Sequence, residues 1–239
     1  MQLKPPSLEV VRADIVACTL CPRLRDYCAR IARDRKPAHR DDLYWGKPVP
    51  GFGDPAARLL IVGLAPAAHG GNRTGRTFTG DGSGDFLMSA LHSTGFANIP
   101  TSRHAGDGLL LRDAYILASV RCAPPGNKPL PEEIVRCRRH MVAEIAALPH
   151  VRVVVALGKI GFDAYLAYLT DVAPGGNRAL RPRPRFAHAS RADLGAGLPP
   201  LLGSYHPSRQ NTNTGKLTPP MLESVFRAAR GVIESRDAP

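Results

Sequence analysis

Apolar residues along the chain gather in four short runs, Arg58 to Gly63, Ala114 to Val120, Val151 to Leu157 and Pro200 to Tyr205, each followed by Gly, Pro or polar positions. Such runs predict strands buried on both faces, as in a parallel sheet. Between them the spacing turns helical. Phe86, Leu87, Ala90 and Leu91 share one face of a helix over Asp85 to Thr94, which Gly95 stops. Pro131, with Glu132 and Glu133 behind it, opens a second helix running to Leu148, and a last one starts at Thr218-Pro219-Pro220 and reaches about Ile233. This alternation predicts a doubly wound α/β domain, a three-layer α/β/α sandwich with a central four-stranded parallel sheet. A single domain is expected over residues 1–239, with 1–50 as an N-terminal helical segment packed onto it. The stretch from Ala173 to Pro199, rich in Gly, Pro and Arg, reads as a long loop or insertion and predicts no element.

Charge narrows the partners. Thirty-two Lys and Arg against 20 Asp and Glu leave a formal charge of +12, which suits a polyanion such as nucleic acid. Met1 to Val11 contains two prolines and no apolar core of a secretory signal. No run approaches the ~18 apolar residues of a membrane span. A cytoplasmic protein is therefore expected, in a reducing compartment where five cysteines seldom form disulfides.

Cysteine spacing then points to a metal. Cys18 and Cys21 form C-x-x-C, Cys122 follows a predicted strand, and Cys137 shares the inward face of the Pro131 helix with Ile134, Met141, Ile145 and Leu148. An isolated inward cysteine is usually core. Four thiols in this pattern instead predict a tetrathiolate site, for zinc or an iron–sulfur cluster. Cys28 has no partner at ligand spacing and is assigned to core or surface.

Three further segments carry a resemblance. They are the glycine-rich strand exit from Gly63-Leu64-Ala65-Pro66-Ala67-Ala68-His69-Gly70-Gly71 to Phe78-Thr79-Gly80-Asp81, the segment Arg121-Cys122-Ala123-Pro124-Pro125-Gly126-Asn127, and Ser204-Tyr205-His206-Pro207-Ser208-Arg209-Gln210-Asn211. On its own the glycine-rich exit is a weak signal, matching neither the dinucleotide nor the P-loop pattern. Together, in order and spacing with the cysteines, the segments resemble the type-b (fifth) family of uracil-DNA glycosylases, from about Cys18 to the last helix. The resemblance implies a uracil-DNA glycosylase-like fold and a DNA-repair hydrolase that cleaves the N-glycosidic bond of uracil in double-stranded DNA. It also implies a [4Fe–4S] cluster on Cys18, Cys21, Cys122 and Cys137, tying the N-terminal segment to the sheet, and a monomer associated with the nucleoid.

The reaction exposes the anomeric carbon by flipping the nucleotide, then develops positive charge on the sugar and negative charge on the base. By resemblance, Phe78 is the stacking shelf, Asn127 reads the base edge with its donor and acceptor, and Ala68 and Gly63 line the base site. His206 is expected to donate to the base oxygen, and Asp81 to orient water or stabilise the sugar cation. Arg73, Arg76, Arg209, Gln210 and Asn211 are expected near DNA phosphates, with Pro207 and Ser208 entering the minor groove. One departure stands out. Ala65 occupies the place where several related families carry Asp, Asn or Glu, so a polar group after the first strand is missing and Asp81 is the nearest carboxylate. Ala65 and Ala67 leave room for hypoxanthine and other damaged bases. The competing expectation is an iron–sulfur protein that binds uracil-DNA without catalysis or traps it covalently.

Overall fold

A computed structural model describes residues 6–172, 180, 182–195 and 197–235. The N-terminal part holds helices α1 (Leu8–Val16) and α2 (Pro22–Asp34), and the sheet begins with strands β1 (Phe52–Gly53) and β2 (Leu59–Gly63). A short helix α3 (Gly71–Thr74) and the longer α4 (Gly82–Ser93) precede β3 (Ala114–Ala118) and α5 (Pro131–Ala146). Then come β4 (Val153–Leu157), α6 (Gly158–Val172), β5 (Arg191–Ala192), β6 (Leu201–Ser204), α7 (Arg209–Asn213) and α8 (Pro219–Ser235).

The four inner strands are parallel in the order β3-β2-β4-β6, with Ile61 opposite Ile116 and Val155, and Val155 opposite Leu202. Those are the four apolar runs. The expected four-stranded sheet is widened by two antiparallel edge strands, β1 beside β3 and β5 beside β6. Alternation along each inner strand divides the core. Leu59, Ile61, Val153 and Val155 face α4 and α8 through Leu87, Leu91, Leu222 and Phe226. Leu60, Val62, Val154 and Ala156 face α5 and α6 through Met141, Phe162, Tyr165 and Leu166. Both faces are covered, giving the α/β/α layering.

Helix α6 was absent from the sequence expectations because its glycines lower helix propensity. Packing explains one of them. A Cβ on Gly161 would lie 2.7 Å from the carbonyl oxygen of Val62, so only glycine lets α6 approach β2 this closely. Of the Ala173 to Pro199 stretch, residues 173–179, 181 and 196 lie outside the described residues. The remainder supplies β5, and His188 accepts a hydrogen bond from the Tyr205 backbone N–H at 3.2 Å, its ring stacked on Tyr205.

The N-terminal helices attach at one end of the sheet. Leu24 and Cys28 of α2 pack with Val120, Cys122, Ala123 and Cys137. Arg23 adds a bidentate ion pair to Glu133 at the start of α5, at 2.8 and 2.7 Å. Glu133 also accepts from the Leu130 N–H and so caps α5. Among the described residues no helix is long and apolar enough to cross a membrane.

Candidate active site

Ligands of open α/β sheets bind beyond the carboxyl ends of the strands. There, after β2, β3 and β6, lies a cleft of about 550 Å³ lined by Leu64, Ala65, Ala67, Phe78, Asp81, Asn127, His206, Ser208, Arg209 and Gln210. Four residues expected to act on the base or sugar therefore meet in one cavity.

Phe78 holds a left-handed backbone at φ 51°, rare for a bulky residue and characteristic of strained functional sites. Gly63 forms its floor. A Cβ there would lie 2.8 Å from Phe78 Cε2, and one on Gly84 would lie 2.3 Å from the Phe78 carbonyl oxygen, so two glycines hold this loop down. The Phe78 and His206 rings lie 5.6 Å apart at 32°. Burial pushes His206 down to about 4, which keeps its imidazole neutral near pH 7. Asn211 Nδ2 donates to the His206 carbonyl at 2.8 Å and fixes its loop. Asn127 is exposed, with φ 58° in the turn Pro125–Asn127, and its side-chain amide makes no hydrogen bond among the described residues.

Asp81 caps α4, its Oδ1 accepting from the N–H groups of Ser83 and Gly84 at 2.9 and 3.0 Å. Burial pushes its pKa up, opposed by those two hydrogen bonds and by Arg209. Its other oxygen faces Gly70, where a Cβ would come within 2.2 Å of Oδ2. Asp81 also lines an outer cleft of about 310 Å³ with Lys36, His39, Ala68, His69, Asn127 and Arg209.

Several expectations are corrected. Arg76 is buried in a bidentate pair with Asp107, both oxygens at 2.8 Å, and its Nε donates to Thr79. Burial works to raise Asp107, but Arg76 and two backbone donors hold it down at about 2. Arg73 bridges Asp42 at 2.6 Å and the Gly80 carbonyl at 3.0 Å. Both arginines brace the loop that presents Phe78 and Asp81, in place of reaching for phosphate. Pro207 is buried and cannot project into a groove, and Ser208 caps α7. Ala68 lines the outer cleft and packs toward the cysteine cluster. Arg209 and Gln210 are exposed at the cleft mouth.

Cys18, Cys21, Cys122 and Cys137 line a single narrow cavity together with Arg121, Arg136 and His140. Among the described residues no three His, Cys, Asp or Glu side chains converge as a single-ion site would. The Cys137 sulfur accepts the Arg121 backbone N–H at 3.2 Å, and burial pushes this thiol up to about 12. Arg121 is 1% exposed and meets Glu144 at 2.6 Å as a charge contact, yet its Nε and Nη1 have no hydrogen-bond partner. His140 Nε2 is likewise buried and unpartnered. Cys28 is buried beside Cys122 and donates weakly to the Ala123 carbonyl at 3.5 Å.

Sequence reasoning missed this buried arginine although it stands next to Cys122, because nothing local marks it as internal. Glu144→Ala is expected to lower stability by ~3–5 kcal/mol, since it strands the Arg121 charge inside the protein. It also removes the acceptor for the Gly51 N–H and the Tyr115 hydroxyl. Thermal unfolding checks this, and a change under ~1 kcal/mol would show that Arg121 is compensated elsewhere.

A model of the uracil DNA glycosylase superfamily matches residues 50–230. The type-5 uracil-DNA glycosylase of Mycobacterium leprae is 49% identical over 94% of this chain and 95% of its own length. That of Thermus thermophilus is 49% identical over 90% and 94%. The type-4 enzyme of Archaeoglobus fulgidus is more distant, 31% identical over 54% of this chain.

Proposed function

The chain belongs to the uracil DNA glycosylase superfamily, and on that premise we propose that it hydrolyses the N-glycosidic bond of uracil in DNA and leaves an abasic site. The observation that carries the reading is the convergence of Phe78, Asn127, His206 and Asp81 on one cleft at the strand ends. Uracil flipped into that cleft stacks on Phe78 and meets the free amide of Asn127 at its edge. Neutral His206 donates a ring N–H to the carbonyl oxygen that gains charge as the bond breaks. The Asp81 carboxylate faces the sugar, where it stabilises the developing cation and orients the attacking water. No side-chain carboxylate or amide at positions 64, 65 or 67 duplicates it. Relatives of nearly half identical sequence named for this activity favour it over a binding-only or covalently trapping protein. Purified protein is expected to release free uracil from a duplex and leave alkali-labile sites. Binding without release would overturn the assignment.

The substrate range extends beyond uracil. Ala65 and Ala67 line the cleft with methyl groups, placing few hydrogen-bond demands on the base. Stacking on Phe78 discriminates weakly, because every base has a π-face. Hypoxanthine release is therefore expected at high enzyme, faster when the opposite base mispairs. Strict uracil activity in single-turnover assays on matched duplexes would defeat this extension alone.

Cys18, Cys21, Cys122 and Cys137 would hold a [4Fe–4S] cluster. Two observations support the fit. The four thiols line one cavity, and Arg121, whose buried Nε and Nη1 have no hydrogen-bond partner, lines it with them, suited to an anionic group. Such a cluster supplies structural cross-linking, joining Cys18 and Cys21 before α2 to Cys122 after β3 and Cys137 on α5.

A further inference from the structure

The stretch from Ala173 to Pro199 carries no periodic signal, yet part of it is built closely onto the last inner strand. The Ala189 N–H donates to the Gly203 carbonyl at 2.8 Å, and the Gly203 N–H donates to the Ser190 carbonyl at 2.9 Å. The Ser190 hydroxyl donates to the Ala187 carbonyl at 2.7 Å and closes the turn. A Cβ on Gly203 would lie 2.4 Å from the Ala187 carbonyl oxygen, so only glycine at that point of β6 admits the turn. Ala189 holds a left-handed backbone at φ 56°, a conformation that alanine disfavours.

That turn delivers His188. Its Nδ1 accepts the Tyr205 backbone N–H at 3.2 Å, and its ring stacks on Tyr205 at 4.9 Å and 19°. The exposed Lys216 places its ammonium 4.9 Å from the centre of the same Tyr205 ring. The Tyr205 N–H is the first amide past the end of β6, and the next residue is His206. Accepting at Nδ1 requires a neutral His188 with its proton on Nε2. Burial pushes the His188 pKa down, which preserves that form near neutral pH.

Covering the edge of β6 needs only the backbone pairs, which do not depend on the side chain at 188. The side-chain bond goes further, because it leads to the imidazole of the site. Three other contacts seat His206. Phe78 faces its ring 5.6 Å away, a Cβ on Gly158 would come 3.2 Å from its own Cβ, and Asn211 bonds its carbonyl at 2.8 Å. His188 secures the chain just before it. A ring that must donate to one oxygen of a flipped base needs a fixed backbone, since a misplacement of about 1 Å can cost ~10²-fold in rate.

We propose that His188 is a positioning residue for His206: by accepting the Tyr205 N–H and stacking on the Tyr205 ring, it fixes the backbone from which the imidazole reaches the leaving base. The inference rests on the glycosylase reading, and its test keeps the two apart. His188→Phe retains an aromatic face but removes the acceptor, whereas His188→Asn offers an amide oxygen at about the reach of Nδ1 and removes the stack. His188→Phe is expected to slow single-turnover uracil release at saturating enzyme about 10-fold or more. Its affinity for the uracil duplex should stay within about 2-fold of the parent, the phosphate contacts being untouched. His188→Asn should recover most of the rate. In a His206→Ala background, His188→Phe should add less than about 2-fold, because both changes act through one group. Histidine-ring NMR gives a readout without turnover. The His206 imidazole, held at about 4 in the parent, should titrate nearer the ordinary ~6.5 in His188→Phe and return in His188→Asn. A near-parental rate in His188→Phe with an impaired His188→Asn would show packing alone and overturn the role, as would slowing that persists in full without His206. A parent protein that releases no uracil would instead overturn the glycosylase reading, with the His206 titration still deciding whether His188 seats that ring.

Discussion

Asp81→Asn is expected to slow single-turnover uracil release by ~10²- to 10³-fold with little change in melting temperature, the scale seen when one charge-stabilising group is removed from an active site. The choice of asparagine follows from geometry. Asp81 is at once the N-cap of α4 and the carboxylate in the cleft. Asparagine still accepts from the Ser83 and Gly84 N–H groups, so the cap survives and the charge alone is lost. Asp81→Ala removes both and should also cost about 1 kcal/mol of stability. The pH profile adds an independent check. Because burial raises the Asp81 pKa, the working carboxylate is lost as pH falls through that raised value, and the parent rate should drop on the acid side. His206, held down at about 4, stays neutral over most of that window and contributes no limb near neutrality. The Asp81→Asn profile should be flat where the parent falls. A variant that keeps the parental rate would place water orientation outside this loop.

Cys137→Ser is expected to abolish iron binding and to unfold the N-terminal attachment. The parent protein should be brown, absorb broadly near ~400 nm and hold about four irons per chain. Coupling to the fold is expected because Cys137 lies in the cluster of side chains that joins α2 to the sheet. Without an anionic group in the cavity, the unpartnered Nε and Nη1 of Arg121 remain desolvated, at ~1–3 kcal/mol for each unsatisfied group. The Arg23–Glu133 pair is too exposed on its arginine side to hold the segment alone. Iron content and thermal unfolding of anaerobically purified protein decide the matter. A colourless parent with one tightly bound zinc would overturn the cluster, and a Cys137→Ser protein that keeps its iron would remove Cys137 from the ligand set.

How much was legible beforehand depended on whether a signal was local. The four parallel strands, α4, α5 and α8 were readable because a buried strand or an amphipathic helix imposes its own period on neighbouring residues. The segments holding Phe78, Asp81, Asn127 and His206 were readable because each is a contiguous motif. The two edge strands, two residues each, are too short to carry any period. Helix α6 was hidden by Gly161, whose reason is the backbone of β2 across the interface.

Side-chain fate was decided by partners far along the chain. Arg73 and Arg76 look like phosphate ligands in a basic sequence, yet the fold brings each an aspartate from 31 residues away, and a paired, desolvated guanidinium is no longer free to bind DNA. Pro207 sits in a loop motif that reads as exposed, while packing buries it. Local periodicity and contiguous motifs thus determined the four parallel strands, helices α4, α5 and α8 and the chemistry-bearing segments from sequence alone. Which charges are neutralised, which apolar groups are buried and which face DNA was left to tertiary packing, because those outcomes depend on pairings between segments that no local pattern encodes.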